Sequence, residues 1–293
     1  MLKALCSALG DAGKLIASIL RFYRGRRPAA NACCACPPAL KKPDPFLYSQ
    51  AWLTSQGYPV TWDNPDIFIY QNGVLVDPHD LHASTTYTVV ARIWNNSADI
   101  PVVDMPVVFS YLSFGMGAQS NPIGTVTTDL GVIGLPGCPA FPQIAWTTPA
   151  ALGHYCLQVL CQPPDDSNWL NNMGQRNADV AQAHSPAAFS FAVGNHGRKR
   201  PRTVRFTLDS YALPPLPPCD ARPKTIGKTA PPVPEGWTVV LTPDRFILGP
   251  DEERQVQAAI TPPPGFSGSM PINVHAWDAA GLIGGVTLIV EAT

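Results

Sequence analysis

Charge is scarce in this sequence. Only 14% of its 293 residues are Asp, Glu, Lys or Arg, against about 25% in an ordinary soluble chain. The formal net charge is −1, so no whole-chain field draws nucleic acid or an anionic membrane toward it. Disorder of the low-hydrophobicity, high-charge kind is excluded as well, because 45% of residues are apolar. The short signatures of common chemistry are also missing: no G-x-S-x-G, no H-E-x-x-H, no P-loop and no Gly-rich dinucleotide fingerprint. Asp11 and Lys14 interrupt the apolar stretch at the N-terminus. They spoil both a membrane span, which needs about 20 apolar residues, and the unbroken core of a clean signal peptide.

What is present in excess is proline, 33 residues, with 23 glycines. Proline blocks helix interiors and central strands but suits turns and strand edges. Spread along the chain, it predicts short strands joined by many turns. The length corresponds to about two domains.

Met1 to Arg27 is the one helical pattern. Leu2, Leu5, Leu9, Ala12, Ile16, Ile19 and Tyr23 share a face, and Arg21, Arg24, Arg26 and Arg27 crowd the C-terminal end, where cations suit the helix dipole. The expected role is docking on a protein partner or on a second copy of the chain; lying on a membrane surface is the alternative. Residues 28–44 form a Cys/Pro-rich linker containing Cys33, Cys34 and Cys36.

From the sixties to the C-terminus the hydrophobic rhythm has period two. Asp66–Tyr70 and Val74–Val76 flank Asn72-Gly73, a strong hairpin signal. Thr86–Trp94, Pro106–Leu112, Ile123–Ile133, Ile144–Trp146 and Gly153–Leu160 follow. A second set comprises Ala188–Val193, Thr203–Leu208, Gly236–Leu241, Arg254–Ile260, Met270–Trp277 and Ile283–Val290. The expected fold is therefore all-β: two antiparallel immunoglobulin-like β-sandwiches, about 45–182 and 183–293, behind a short N-terminal amphipathic helix.

Val89–Ser97, Val103–Tyr111, Trp146–Pro149 with Gly153–Leu157, and Asp165–Asn172 resemble successive steps of CARDB-type bacterial immunoglobulin-like domains. The chain departs from that family at Ser97–Asp99, where glycine is usual, and in the loop 113–122. Pro234–Leu241, Leu248–Glu252, Pro262–Gly268 and Gly284–Val286 resemble NEW3 and related fibronectin-like modules. Both resemblances imply adhesion-related or accessory interaction modules without catalysis, in a cell-surface or secreted setting. The implied partner is a protein, with a glycan as the alternative and no nucleic acid.

Several side-chain groups carry chemistry worth locating. Trp52, Trp62, Trp169 and Trp237 offer rings that stack on sugars if exposed, or fill the sandwich cores if not. His196–Arg202 together with Arg205 is a basic run, including Arg198, Lys199 and Arg200, that either touches nucleic acid or an acidic surface or forms a solvated hairpin loop; no aromatic residues interleave it, which favours the loop. Asp165, Asp166 and Asn168 supply oxygen ligands suited to calcium, and equally the capping bonds of a turn. His79 and His82 flank Asp80 in a pattern that fits a transition metal or a polar turn. Cys138, Cys156 and Cys161 are disulfide candidates or reduced core thiols. Cys156 and Cys161 start on opposite strand faces, so a direct bridge needs a bend.

Overall fold

The structure, a computed structural model, is described for residues 42–78, 81–82, 84–113, 115–117, 119–150, 155–177, 179–182, 187–213 and 229–292. The expected N-terminal helix at 1–27 and almost all of the 28–44 linker lie outside them.

The described chain is all-β, with one short helix. Strand β1 (Pro45–Phe46) leads into helix α1 (Gln50–Ser55), whose start is capped by the Ser49 hydroxyl accepting from Trp52 N. Strands β2 (Ile67–Gln71) and β3 (Val74–Leu75) form the anticipated hairpin. Asn72 and Gly73 both take positive φ, 51° and 81°, as a two-residue turn of this hand requires. Then come β4 (Thr86–Ala91), β5 (Trp94–Asn95), β6 (Val102–Ser113), β7 (Gly115–Met116), β8 (Ser120–Leu130), β9 (Gln143–Thr147), β10 (Tyr155–Cys161) and β11 (Met173–Arg176). One sheet of the first sandwich has the order β11-β10-β6-β8, the other β3-β2-β4-β9. Alternate residues from both sheets, among them Ile67, Tyr87, Val89, Phe109 and Val159, close one apolar core.

One charged knot supports this sandwich. Asp66 is buried, and its carboxylate accepts from Arg92 Nε at 2.8 Å and from Tyr48 N at 2.7 Å. The Arg92 guanidinium lies 5.5 Å from the ring centres of both Phe68 and Trp94, a favourable seat for a cation.

The second sandwich contains β13 (Ala187–Gly194), β14 (Arg202–Asp209), β15 (Thr238–Thr242), β16 (Arg245–Leu248), β17 (Glu253–Thr261), β18 (Gly268–Asp278) and β19 (Gly281–Ala292). It also takes in two strands from earlier in the chain. Strand β12 (Asp179–Gln182) runs parallel to β19, completing a five-stranded sheet of order β12-β19-β18-β14-β16. Strand β7 comes from the connection between two long strands of the first sandwich, and it runs parallel to β13 at the edge of the sheet β15-β17-β13-β7. Met116 is only 1% exposed and sits in the core of the second sandwich with Phe191, Val204 and Leu288. Backbones approach closely here: a Cβ on Gly117 would fall 2.7 Å from the Gly194 carbonyl oxygen. The sheets of the second sandwich thus draw strands from both sides of residue 183, and two of their pairings are parallel where an all-antiparallel arrangement was expected.

Candidate interaction surface

The outer face of the five-stranded sheet has a covered end and an open end. At the covered end, β14, β18 and β19 present Asp209, Asn273, His275, Thr287 and Gly285 toward the first sandwich. The Thr287 hydroxyl accepts from Trp62 N at 2.8 Å, lies 3.0 Å from the Thr61 hydroxyl, and donates to Asn273 Oδ1 at 2.7 Å. Asn273 Nδ2 donates to Asp209 Oδ1 at 2.7 Å, and His275 Nε2 lies 2.6 Å from Asp209 Oδ2. Asn177 closes the seam, donating from its backbone to Trp62 O and from its side chain to Gly285 O. Burial acts to raise the Asp209 pKa, but the bond and charge of His275, with the donations from Tyr211 N and Asn273, outweigh it and hold the carboxyl below its usual value.

Trp62 seals this network. It is 1% exposed, its ring centre is 5.2 Å from that of His275, and Gly285 leaves the space its ring occupies. Tyr48, Leu53, Val60 and Tyr211 complete the apolar cover, with Trp52, Tyr58 and Leu282 packed against it. The expectation that Trp62 presents a ring for stacking is therefore corrected. The partner that buries it lies more than two hundred residues away in sequence. Trp237 packs against the second core, edge-on to Phe266. Trp169 does present itself, 45% exposed in the 3-10 turn Trp169–Asn171.

At the open end, the register sets three outward side chains in one row. Arg245 on β16 stands opposite Arg205 on β14, which stands opposite Trp277 on β18. Both arginines are exposed and Trp277 is half-buried. Trp277 Nε1 donates to the Thr207 hydroxyl at 2.8 Å, so the indole lies across the sheet toward β14. A register shift between Ala276 and Trp277 marks a β-bulge at this residue, a device that re-aims a side chain. Ile247, 62% exposed, is the next outward residue along β16.

The basic run caps the same end. Lys199 and Arg200 are exposed and Arg198 half-buried in the loop that carries the chain from β13 in one sheet to β14 in the other, a crossover where a hairpin was expected. Asn195 organises that loop, donating to the carbonyls of Arg200 and Gly249. Arg202 is buried against Asn195 and Asp278, and burial together with nearby Arg198 lowers its pKa to about 10.

The remaining sequence candidates fall elsewhere. Asp165 pairs with Lys42 at 2.7 Å. Asp166 accepts from Asn168 N at 3.0 Å and from Asn172 Nδ2 at 2.6 Å, so its oxygens serve the turn. His82 donates its backbone N–H to the Tyr87 hydroxyl; His79 lies outside the described residues. Among the described residues, no three His, Cys, Asp or Glu come together as a metal-holding group. Cys138, Cys156 and Cys161 are free thiols, which corrects the disulfide expectation for these three. Cys161 faces the first core, and five residues along β10 Cys156 points to the other side. Cys138 Sγ is in the 131–140 loop, accepting from Asn95 N at 3.4 Å. Burial pushes the Cys156 thiol up to about 12 and raises those of Cys161 and Cys138 as well.

The Arg245–Arg205–Trp277 row was not anticipated as a unit. Arg205 stood at the margin of the basic run, but strand pairing alone brings Arg245 and Trp277 to it.

The fold and this surface define the class: a tandem β-sandwich protein whose two halves share strands. No family model matches the chain, and no curated protein matches it. Among solved structures, it is similar to a transglutaminase of red sea bream at 11% identity and a TM-score of 0.23, covering 82% of this chain and 33% of the enzyme. It thus spans about a third of that enzyme's length. A second likeness is to the CupB6 tip adhesin of Pseudomonas aeruginosa at 7% identity and a TM-score of 0.25, covering 78% of this chain and 97% of the adhesin.

Proposed function

We propose that this chain is a non-catalytic interaction protein, with the exposed faces and loops of its paired sandwiches as the contact surface. The observation that supports this most is the fate of the acid–base pair. Asp209 and His275 are held together at 2.6 Å, but Trp62 closes over the histidine and Asn273 and Tyr211 N occupy Asp209 Oδ1. A general acid–base pair must reach its substrate within hydrogen-bonding distance. This pair instead joins the two sandwiches. The exposed features are the open end of a sheet face, turn residues such as Trp169, and a basic loop. Residues 1–27 are proposed as the element that anchors the chain to a protein partner or to a second copy of itself.

The test is a pair of measurements on the full chain. Solid-phase binding to arrayed glycans and peptides should give saturable binding, and a panel of ester, glycoside and peptide substrates should give no turnover. Turnover abolished by His275→Gln in a variant that melts like the parent would refute the proposal. Deleting residues 1–27 should abolish self-association or capture by the anchoring partner; unchanged sedimentation and unchanged capture would remove the anchoring role.

A further inference from the structure

We infer that the Arg245–Arg205–Trp277 row binds an acidic polysaccharide, one bearing carboxylate or sulfate groups. This rests on the reading of the chain as a binding protein and gives that reading a ligand class.

The row has features that folding does not explain. Arg205 and Arg245 are directly opposite on neighbouring antiparallel strands, an arrangement in which like charges repel and destabilise the pair. Neither has a carboxylate within salt-bridge distance among the described residues, whereas Arg92, Arg176, Arg202 and Arg254 all have one. Two unneutralised guanidinium forks side by side suit an anion that accepts from both, because Arg matches carboxylate and sulfate geometry in a bidentate way. The third member, Trp277, is tied down by its bond to Thr207 and re-aimed by the bulge beside it. Tying the ring down removes the freedom it would otherwise lose on binding.

The same geometry selects among anionic polymers. An extended acidic peptide would dock by adding a strand to a sheet edge. Such a strand would add beyond the edge strand β16 and so would not cross Arg205 and Trp277, which lie on the face of β14 and β18, each paired on both sides. Nucleic acid needs a broad basic field, and the chain has a net charge of −1. Adjacent strands are about 4.8 Å apart, so the three side chains span about 10 Å, the scale of a short oligosaccharide. One end of such a ligand would stack on Trp277 while its acidic groups met Arg205 and Arg245. The exposed Lys199 and Arg200, with the half-buried Arg198, lie just before the start of β14 and add positive charge at that end.

The experiment is affinity electrophoresis of the full chain at low ionic strength through gels containing polygalacturonate, heparin, neutral dextran, polyglutamate or oligo(dT). Polygalacturonate or heparin should retard the chain, and dextran should not. Arg205→Gln and Arg245→Gln should each weaken binding about tenfold or more, with melting temperatures unchanged or slightly raised, because both residues are exposed and each change relieves the cross-strand repulsion. Trp277→Phe should weaken it several-fold; should that variant melt early, Thr207→Val, which frees the indole, is the substitute. Retention unchanged in the Arg205→Gln/Arg245→Gln double variant would overturn the inference. So would preferential retention by polyglutamate or oligo(dT), or no retention by either acidic polysaccharide. In those cases, binding to arrayed ligands that survives in the double variant would leave the binding-protein reading intact; only turnover would refute both.

Discussion

Gly285 is where the seam between the sandwiches is most exposed to attack. A Cβ added there would meet Cη2, Cζ3 and Cζ2 of Trp62, all under 3.0 Å. The ring cannot easily yield, because Trp62 is 1% exposed and its backbone N is fixed to Thr287. Overpacking of this kind costs about 1–3 kcal/mol. For a unit of this size each kcal/mol lowers Tm by about 2–4 °C, so Gly285→Ala should melt roughly 2–12 °C below the parent. Trp62→Ala alone should cost about 3–5 kcal/mol. The methyl group then meets no ring, so Gly285→Ala should be almost neutral in that background. A double-mutant cycle by calorimetry or urea titration should therefore return a coupling of about 1–3 kcal/mol. A Gly285→Ala chain within about 0.5 kcal/mol of the parent, or one equally destabilised with and without Trp62, would refute the packing described here.

Three further outcomes follow from the same structure. Met116→Ala should destabilise the second sandwich by about 2–5 kcal/mol despite lying in the first half of the chain, seen as faster proteolysis within residues 187–292; cleavage confined to the first sandwich would contradict the strand donation. The Asp209 carboxyl is held below its usual pKa, so its contribution to stability is present above the unfolded value of about 3.9 and is lost as pH falls through the folded value; Asp209→Asn should cost about 1–3 kcal/mol at neutral pH, with the gap to the parent narrowing in urea titrations toward pH 3, and a gap that widens instead would reverse this assignment. Iodoacetamide with peptide mapping should label Cys138 first, and should reach Cys156 and Cys161 only after denaturant is added, because their thiols are buried and carry raised pKa values; equal labelling of all three in the native chain would contradict their burial.

Much of the strand set was legible because half-buried strands impose alternation on their own residues. Thr203–Leu208 and Arg254–Ile260 fall inside β14 and β17 for that reason. Strand β16 is only four residues long, too short for a rhythm to stand out. Strands β7 and β12 have two and four residues, and each is defined by partners in the other sandwich. Helix α1, at six residues, is likewise too short to show a helical period. The site was less legible than the fold. Trp62 sits among Pro59, Thr61, Asp63, Asn64 and Pro65, a setting that reads as an exposed turn, because burial by Gly285 is a tertiary fact. The row of Arg245, Arg205 and Trp277 depends on the registers of two strand pairs, and register leaves no local trace for residues separated by 32 to 72 positions. The hairpin at Asn72-Gly73 was legible for the opposite reason: its signal is contained in two adjacent residues.

The parallel pairing of β12 with β19 also governs how the chain resists being pulled. Strand β12 is the entry into the second sandwich and β19 is its last strand, matched residue by residue from Asp179 with Leu288 to Gln182 with Glu291. Tension between the first sandwich and the C-terminus would draw these neighbours in opposite directions along their length. Their bridging bonds, which lie across the strands, would then be strained together in shear and not opened one after another like a zip. A protein that holds on to something with one part and is tethered by another is well served by a clasp that bears load in that direction.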